Sequence, residues 1–395
     1  MISVEEAKDL VLQNTNPILE TISIQVSKSL GYCIAQDIFA PLNLPPFNQS
    51  NVDGYAVKFN STNTWKVIQE SKAGDATNFE LNVGDACRIF TGAMVPKGAD
   101  AVIMQENCVR EKDLITCVNN FSSKLGEHIR LEGEEIKKGD LAILKNTNIN
   151  PSVISFLASM GLQNISVYKQ PSVVIIVTGN ELQQAGEALQ IGKVYDSNSH
   201  TLTAALQFLG INDVQIYFAN DDKNSLKSVV EKALFNTDVL LLSGGISVGD
   251  YDFVEEVLQE LKVEKIFYKV AQKPGKPLFF GKNKKSLVFA LPGNPASTLT
   301  CFYEYVFPAI KKMQGKSNLF LQKQTLPITQ SINKTNSLAN FLKAKVFNSK
   351  VEPLTGQQSF MMKSFAQANA FIYLPAQVTS VQIGDEVEVH LLPEN

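Results

Sequence analysis

The chain is poor in the residues that carry the commonest metal and redox chemistry. It has only three histidines, none in an HExxH arrangement or paired at metal-ligand spacing, which argues against histidine-zinc catalysis. Its five cysteines, Cys33, Cys87, Cys108, Cys117 and Cys301, lack CxxC spacing. Neither a disulfide framework nor a thiolate zinc site is expected, and a reducing cytoplasm fits best. No apolar run approaches the roughly 20 residues that span a bilayer. The opening "MISVEEAKDLVLQNTNPILE" is acidic and helically spaced rather than basic and then continuously apolar, so neither a membrane segment nor an export signal is expected. A net charge of −3, with no basic run interleaved with aromatics, leaves no footprint for nucleic acid. A GxSxG elbow and a GxxxxGK[ST] phosphate loop are also missing.

What is present points to a multidomain protein. The 395 residues, 44% of them hydrophobic, are more than one core usually organises. Val4, Ala7, Leu10 and Val11 recur at the spacing of an amphipathic helix. The proline-rich "APLNLPPFNQSNVDGYAV" then forces an extended connector. From about 55 to 135, short alternating runs between Gly, Asn and Asp suggest a small β-rich unit. Residues 150 to 168, within "NPSVISFLASMGLQNISVYKQP", return to a helical reading, with a capped start at Asn150, Pro151 in the first turn and Gly161 at a plausible stop; packed on the first helix, this segment would make the β-rich unit an insertion. From 171 to 315, strand, glycine-bearing loop and helix alternate. Strands end in "TGNEL", "SGGISVGDYDF" and "LPGNP", and an apolar helix runs from about 296 to 313. That alternation predicts a doubly wound α/β domain, with ligands gathering at the carboxyl ends of its strands. Residues 320 to 395 read as a small, barrel-like all-β domain. The expected division is 1–50 with 140–170, a helical and extended linker domain; 51–139, an inserted β-rich domain; 171–318, the α/β domain; and 319–395, the C-terminal β domain.

The loops carry the chemistry. Gly244 and Gly245 let backbone amides approach an anion, and Ser243 and Ser247 add hydroxyl donors. In "KPGKP", Pro274 and Pro277 stiffen a segment that holds Lys273 and Lys276 close together, an arrangement suited to a multiply charged anion. Glu181, Asp196, Asp221, Asp222, Asp250 and Asp252 fall in loops of the same class. Carboxylates beside phosphate-binding loops commonly hold magnesium; the residues leave open which of these six would bind it, and Glu181, Asp221 and Asp252 are carried forward as candidate ligands. By composition alone, the segments around Asp53, Arg88, Thr91 and Glu106 are turn-rich, and Arg130, Glu134 and Glu135 lie in a solvated loop.

In order along the chain, "PPFNQSNVDGYAV", "RIFTGAMVPKGADAVIMQE", "GEEIKKGD", "VYDSN", "LLSGGISVGDYDF", "KPGKPLFFG" and "LPGNP" resemble the MoeA type of molybdopterin molybdenumtransferase, relatives of the gephyrin E domain. The resemblance implies a cytoplasmic homodimer of four-domain subunits with a molybdopterin-binding α/β domain. It implies conversion of adenylylated molybdopterin and molybdate, with a divalent cation such as Mg2+, to metal-loaded cofactor and AMP. An upstream molybdopterin adenylyltransferase would supply the intermediate. Carried across by position, Asp53, Thr91 and Glu135 would face the α/β loops of the other subunit. Glu181, Asp221, Ser247, Asp250, Asp252, Lys273 and Lys276 would line the α/β side, with Pro292 and Pro295 shaping the last loop. Ser359 would reach toward molybdate, and Lys343 would stand where relatives carry an arginine.

The chain departs from that pattern in places. "VDGYA" replaces "MDGYA", "GEE" replaces "GED", and "TGNEL" replaces "TGDEL". "GQQSFMM" lacks a glycine and a histidine of the usual stretch. Lysine cannot reproduce an arginine's planar fork, so oxyanion preference is open at this point. Three rival readings stand beside the insertase: an adenylyltransferase, whose single α/β domain resembles residues 171 to 315; a tungstate-handling paralogue; and a non-catalytic scaffold.

Overall fold

The computed structural model describes residues 1–118, 123–246 and 253–393. It divides into two compact units. One comprises 1–35, 146–151 and 164–395, and the other 36–145 and 152–163.

The larger unit is built on a six-stranded sheet. Val173–Thr178 pairs in parallel with Val214–Ala219 on one side and with Val239–Ser243 on the other. Leu287–Leu291 continues the parallel part, and Phe279–Lys282 and Glu264–Tyr268 complete it antiparallel. The three strands read from the sequence are all present, and three more accompany them. Val173–Thr178 and Val239–Ser243 are buried throughout, as strands covered on both faces must be. The chain steps from Val173–Thr178 to a neighbour on one side and then to a neighbour on the other. This creates a topological switch point at their carboxyl ends.

A second sheet of this unit runs in the order Gln272–Lys273, Ala339–Phe347, Ala370–Leu374, Glu386–Leu391, Gln322–Pro327. The lysine segment is thus an edge of the C-terminal sheet, with Lys273 opposite Asn340. In the smaller unit the order is Ala101–Met104, Gly54–Val57, Asp85–Ile89, Thr64–Ser71, Leu114–Cys117, Cys108–Glu111. Helix Pro151–Ser159 ends before Gly161 as expected, but the residues after it form the strand Asn164–Tyr168.

The N-terminal helix Val4–Gln13 begins with a cap in which the Ser3 hydroxyl accepts from the Glu6 amide at 3.0 Å. It buries Val4, Ala7 and Val11 in the main core, packing on the helix that runs through Phe302–Met313. That helix is interrupted by a π turn, Phe302–Val306, which carries a buried carboxylate, Glu304. Glu304 meets Lys8 of the N-terminal helix and, at 2.8 Å, His390 Nδ1 of the C-terminal sheet. His390 Nε2 lies 2.8 Å from Glu388, which pairs with Lys323 at 2.7 Å. Burial by itself would raise the Glu304 carboxyl; Lys8 and His390 outweigh it and hold the group at about 2.

A carboxyl whose value falls from 4.5 to about 2 on folding contributes stability that is complete above pH 4.5 and is lost as pH falls through 2. Glu304→Gln leaves the half-buried Lys8 ammonium without its buried anion, so urea unfolding at pH 7 should show a loss of about 3–5 kcal/mol. The variant should also lose stability less steeply than the parent between pH 4.5 and 2. Superimposable acid-stability curves would contradict this role.

Candidate functional site

Three glycine-bearing loops converge at the switch point. Thr178, Gly179 and Glu181 follow the first strand, Ser243, Gly244 and Gly245 the third, and Pro292, Gly293, Asn294 and Pro295 the strand Leu287–Leu291. Together with Asp221 they line a cavity of about 670 Å³. Glu181, Asp221, Ser243, Gly244, Gly245, Pro292 and Pro295 are thereby brought to one place, as the sequence led us to expect. Ser247, Asp250 and Asp252 lie outside the described residues.

The loops are tied to one another by neutral amides. Asn180 donates its backbone N–H to Asp221 Oδ2 at 3.0 Å, and its own Oδ1 accepts from the Asp221 N–H at 3.2 Å. The asparagine of "TGNEL" therefore supplies an acceptor where a carboxylate was expected from the resemblance. Asn198, nearly buried, donates from Nδ2 to Ser243 Oγ and to the Gly293 carbonyl, both at 2.8 Å. Its backbone is fixed in turn by Asp196, whose Oδ1 accepts from the Asn198 and Ser199 N–H groups at 3.0 and 3.1 Å. The cap of helix Asn198–Phe208 is thus Asp196 in "DSNS", and the helix carries the clamp that aligns two cavity loops. Sequence reasoning missed Asn198 as a site residue; the Asp-Ser-Asn-Ser cap was the available signal.

The lysine segment borders the cavity through Pro277. Lys273 and Lys276 are exposed, and among the described residues neither ammonium has a hydrogen-bonding or ion-pair partner. What holds the segment lies beneath it. Gln272, fully buried, donates to the carbonyls of Pro274 at 3.0 Å and Gly275 at 3.3 Å, and its amide oxygen accepts from Tyr305. Gly275 has φ +86°, and a Cβ there would stand 2.4 Å from Cys301 Sγ, so any side chain would lift the loop off its floor.

The C-terminal domain reaches the same place. Phe360 lines the cavity, and the Ser359 carbonyl accepts from the Ala296 N–H at 3.0 Å. Lys343 is not an open cation. It is buried, and its ammonium donates to the carbonyls of Gly356, Met361 and Gln358 at 2.6, 2.9 and 3.3 Å. Burial pushes it below the usual lysine range. All three of its protons hold the loop that carries Ser359 and Phe360, so Lys343 acts on the cavity through that loop.

The smaller unit holds the other expected residues. Asp53 Oδ1 accepts from the Thr91 N–H at 2.8 Å and the Thr91 hydroxyl at 2.7 Å. The amide bond first, then the hydroxyl, hold the exposed carboxyl below its ordinary range. Gly54 follows because a Cβ there would lie 1.9 Å from the Ile103 carbonyl. Arg88 donates to the Gly54 carbonyl at 2.7 Å and lies over Tyr55 and Phe90. Glu135 lines a separate cleft of about 690 Å³ with Pro45, Gln49, Asn51 and Arg130.

Oxygen donors are the common chemistry of Glu181 and Asp221, which suits a hard cation such as Mg2+. Among the described residues, no three His, Cys, Asp or Glu side chains gather closely enough to hold a metal ion by themselves. No helix is long and apolar enough to cross a membrane.

Comparison with known proteins agrees with this arrangement along the chain. The profile of the MoeA N-terminal region (domain I and II) matches residues 2–161, the probable molybdopterin binding domain matches 174–312, and the MoeA C-terminal region (domain IV) matches 325–392. A protein named molybdopterin molybdenumtransferase from Staphylococcus epidermidis is 33% identical over 100% of this chain and 96% of its own length. One of the same name from Staphylococcus aureus is 34% identical over 99% and 95%. Two crystal structures of a molybdopterin biosynthesis MoeA protein from Pyrococcus horikoshii superpose with TM-scores of 0.80 and 0.81, at 31% and 29% identity, and cover 100% and 99% of this chain and 100% of theirs. With matches reaching from residue 2 to residue 392, the chain belongs to the MoeA family.

Proposed function

We propose that this protein inserts molybdate into adenylylated molybdopterin and releases AMP, completing a step of molybdenum cofactor biosynthesis. The observation that carries the reading is the convergence of three glycine-bearing loops and two carboxylates at the switch point of the α/β sheet, bordered at Pro277 by the anchored segment that carries Lys273 and Lys276. The Gly244 N–H is taken by the Leu291 carbonyl at 3.3 Å, which leaves the Gly245 amide and the Ser243 hydroxyl to suit the phosphate oxygens of an adenylylated substrate. Lys273 and Lys276 offset charge on molybdate or on the phosphoanhydride as it breaks. Because the loop is held from below, those charges need little reorganisation during reaction. No covalent enzyme nucleophile is required.

Glu181 and Asp221, with Asp252, are the residues proposed to hold Mg2+. When bound, such a cation would neutralise phosphate charge. Ser247 and Asp250 complete the proposed α/β lining, and Ser359 the side toward molybdate. We further propose a homodimer in which Asp53, Thr91 and Glu135 of one subunit serve the cavity of its partner. Val194 and Tyr195, exposed apolar side chains that line the cavity, support an interface. The four-domain division and delivery by an upstream adenylyltransferase belong to the same proposal.

The test is AMP release from purified protein given adenylylated molybdopterin and Mg2+, with and without molybdate. Molybdate-dependent release with metal-loaded product is expected. ATP-dependent adenylylation of metal-free molybdopterin would move the protein to the upstream step. A preference for tungstate would make it a tungstate enzyme, and pterin binding without turnover a scaffold. Lys276→Ala should lower molybdate-dependent turnover by about a hundredfold or more with unchanged thermal unfolding; equal loss of folded protein would contradict the assignment. Thr91→Val removes the hydroxyl donor to Asp53, so the Asp53 carboxyl should titrate at higher pH by NMR, and no upward movement would contradict its proposed anchoring.

A further inference from the structure

Cys108 and Cys117 have no part in the chemistry proposed above, yet they face each other. They sit directly opposite on neighbouring antiparallel strands, Cys108–Glu111 and Leu114–Cys117. The hydrogen bonds around them define the kind of pair they form. Cys117 gives its N–H to the Asn63 carbonyl on the other side, at 3.2 Å, and the Val118 N–H reaches Asn107 at 3.0 Å. Cys108 and Cys117 are therefore a non-hydrogen-bonded pair, the type in which Cα atoms approach to about 4.5 Å and side chains lie closest. That separation falls at the short end of the roughly 4.4–6.8 Å range that a disulfide accepts. Both thiols are partly exposed. The other three cysteines are buried.

We propose that Cys108 and Cys117 form a reversible dithiol/disulfide site that staples the edge of the smaller unit's sheet. Among the described residues, the strand Cys108–Glu111 is an edge of that sheet and pairs with Leu114–Cys117 alone, so it is free to fray on its outer side. Closing the bond converts two thiols to one disulfide and releases two protons and two electrons. A two-electron acceptor takes them: a low-molecular-weight disulfide, reduced to two thiols, or the azo bond of diamide, reduced to a hydrazine. Both sulfurs are partly exposed, and exposed disulfides are the more easily reduced ones, which suits a labile site rather than a permanent one.

Burial raises both thiols, Cys108 to about 12 with the neighbouring Cys117 adding to the effect. Little thiolate is present at neutral pH, so closure is slow there. It accelerates by about tenfold per pH unit between 7 and 9, as the thiolate fraction grows.

The experiment treats the full-length folded protein with diamide, alkylates the remaining thiols, and maps peptides by mass spectrometry. The expected result is an intramolecular Cys108–Cys117 linkage lighter by two hydrogens, alkylation of the other three cysteines after unfolding, and complete reversal by dithiothreitol. Cys108→Ser and Cys117→Ala, each checked for native circular dichroism, should each abolish the linked peptide. Alkylation of both residues in diamide-treated wild type, or their capture in links between molecules, would overturn the proposal. Oxidised protein should also exchange the amide protons of 108–111 more slowly than reduced protein; identical exchange would overturn the stapling role.

Discussion

One widened helical turn sets the constraints on which the larger unit depends. The π turn at Phe302–Val306 puts two consecutive side chains to opposite uses. Glu304 binds Lys8 and His390, joining the N-terminal helix to the C-terminal sheet, and Tyr305 donates to Gln272 beneath the lysine segment. A regular helix would rotate these residues differently. A buried carboxylate is tolerated only because two partners meet both of its oxygens. The same turn therefore fixes how the C-terminal domain docks and where Lys273 and Lys276 stand.

From that anchor the cavity follows. The lysine segment is simultaneously the edge of the C-terminal sheet, the neighbour of Ile2 and the rim of the α/β cavity. Ser359 ties the C-terminal loop to the helix that starts at Pro295, and Lys343 holds that loop from behind. Opposite, Asn198 draws the Ser243 and Gly293 loops together and Asn180 bridges to Asp221. The ammonium groups of Lys273 and Lys276 are left open, while Asn180, Asn198 and Gln272, helped by the Asp196 carboxylate and the Lys343 ammonium, do the fastening. This division suits a site that must receive several negative charges, because the two lysines are not consumed by the scaffold.

Much of this was legible in the sequence. The loops "TGNEL", "SGG" and "LPGNP" announce themselves because glycine and proline punctuate strand ends, and the structure gathers them as the α/β pattern requires. Other features carry no local mark. Gln272 and Asn198 are neutral amides whose importance arises from partners 33 and 45 residues away or more. Lys343 reads as a stand-in for a ligand-facing arginine, because nothing in "ANFLKAKV" reveals that the carbonyls 13 to 18 residues on will surround its ammonium. The strands Glu264–Tyr268 and Phe279–Lys282 are hidden for a similar reason: they pair antiparallel in a sheet whose other members advertise a parallel, helix-alternating pattern.

The most direct measurement of the central claim is amide hydrogen exchange with and without adenylylated molybdopterin. If the switch-point cavity and its lysine rim receive the substrate, protection will concentrate in 179–182, 243–246, 271–278 and 293–298. Binding that leaves those segments unchanged and protects another surface would contradict the account.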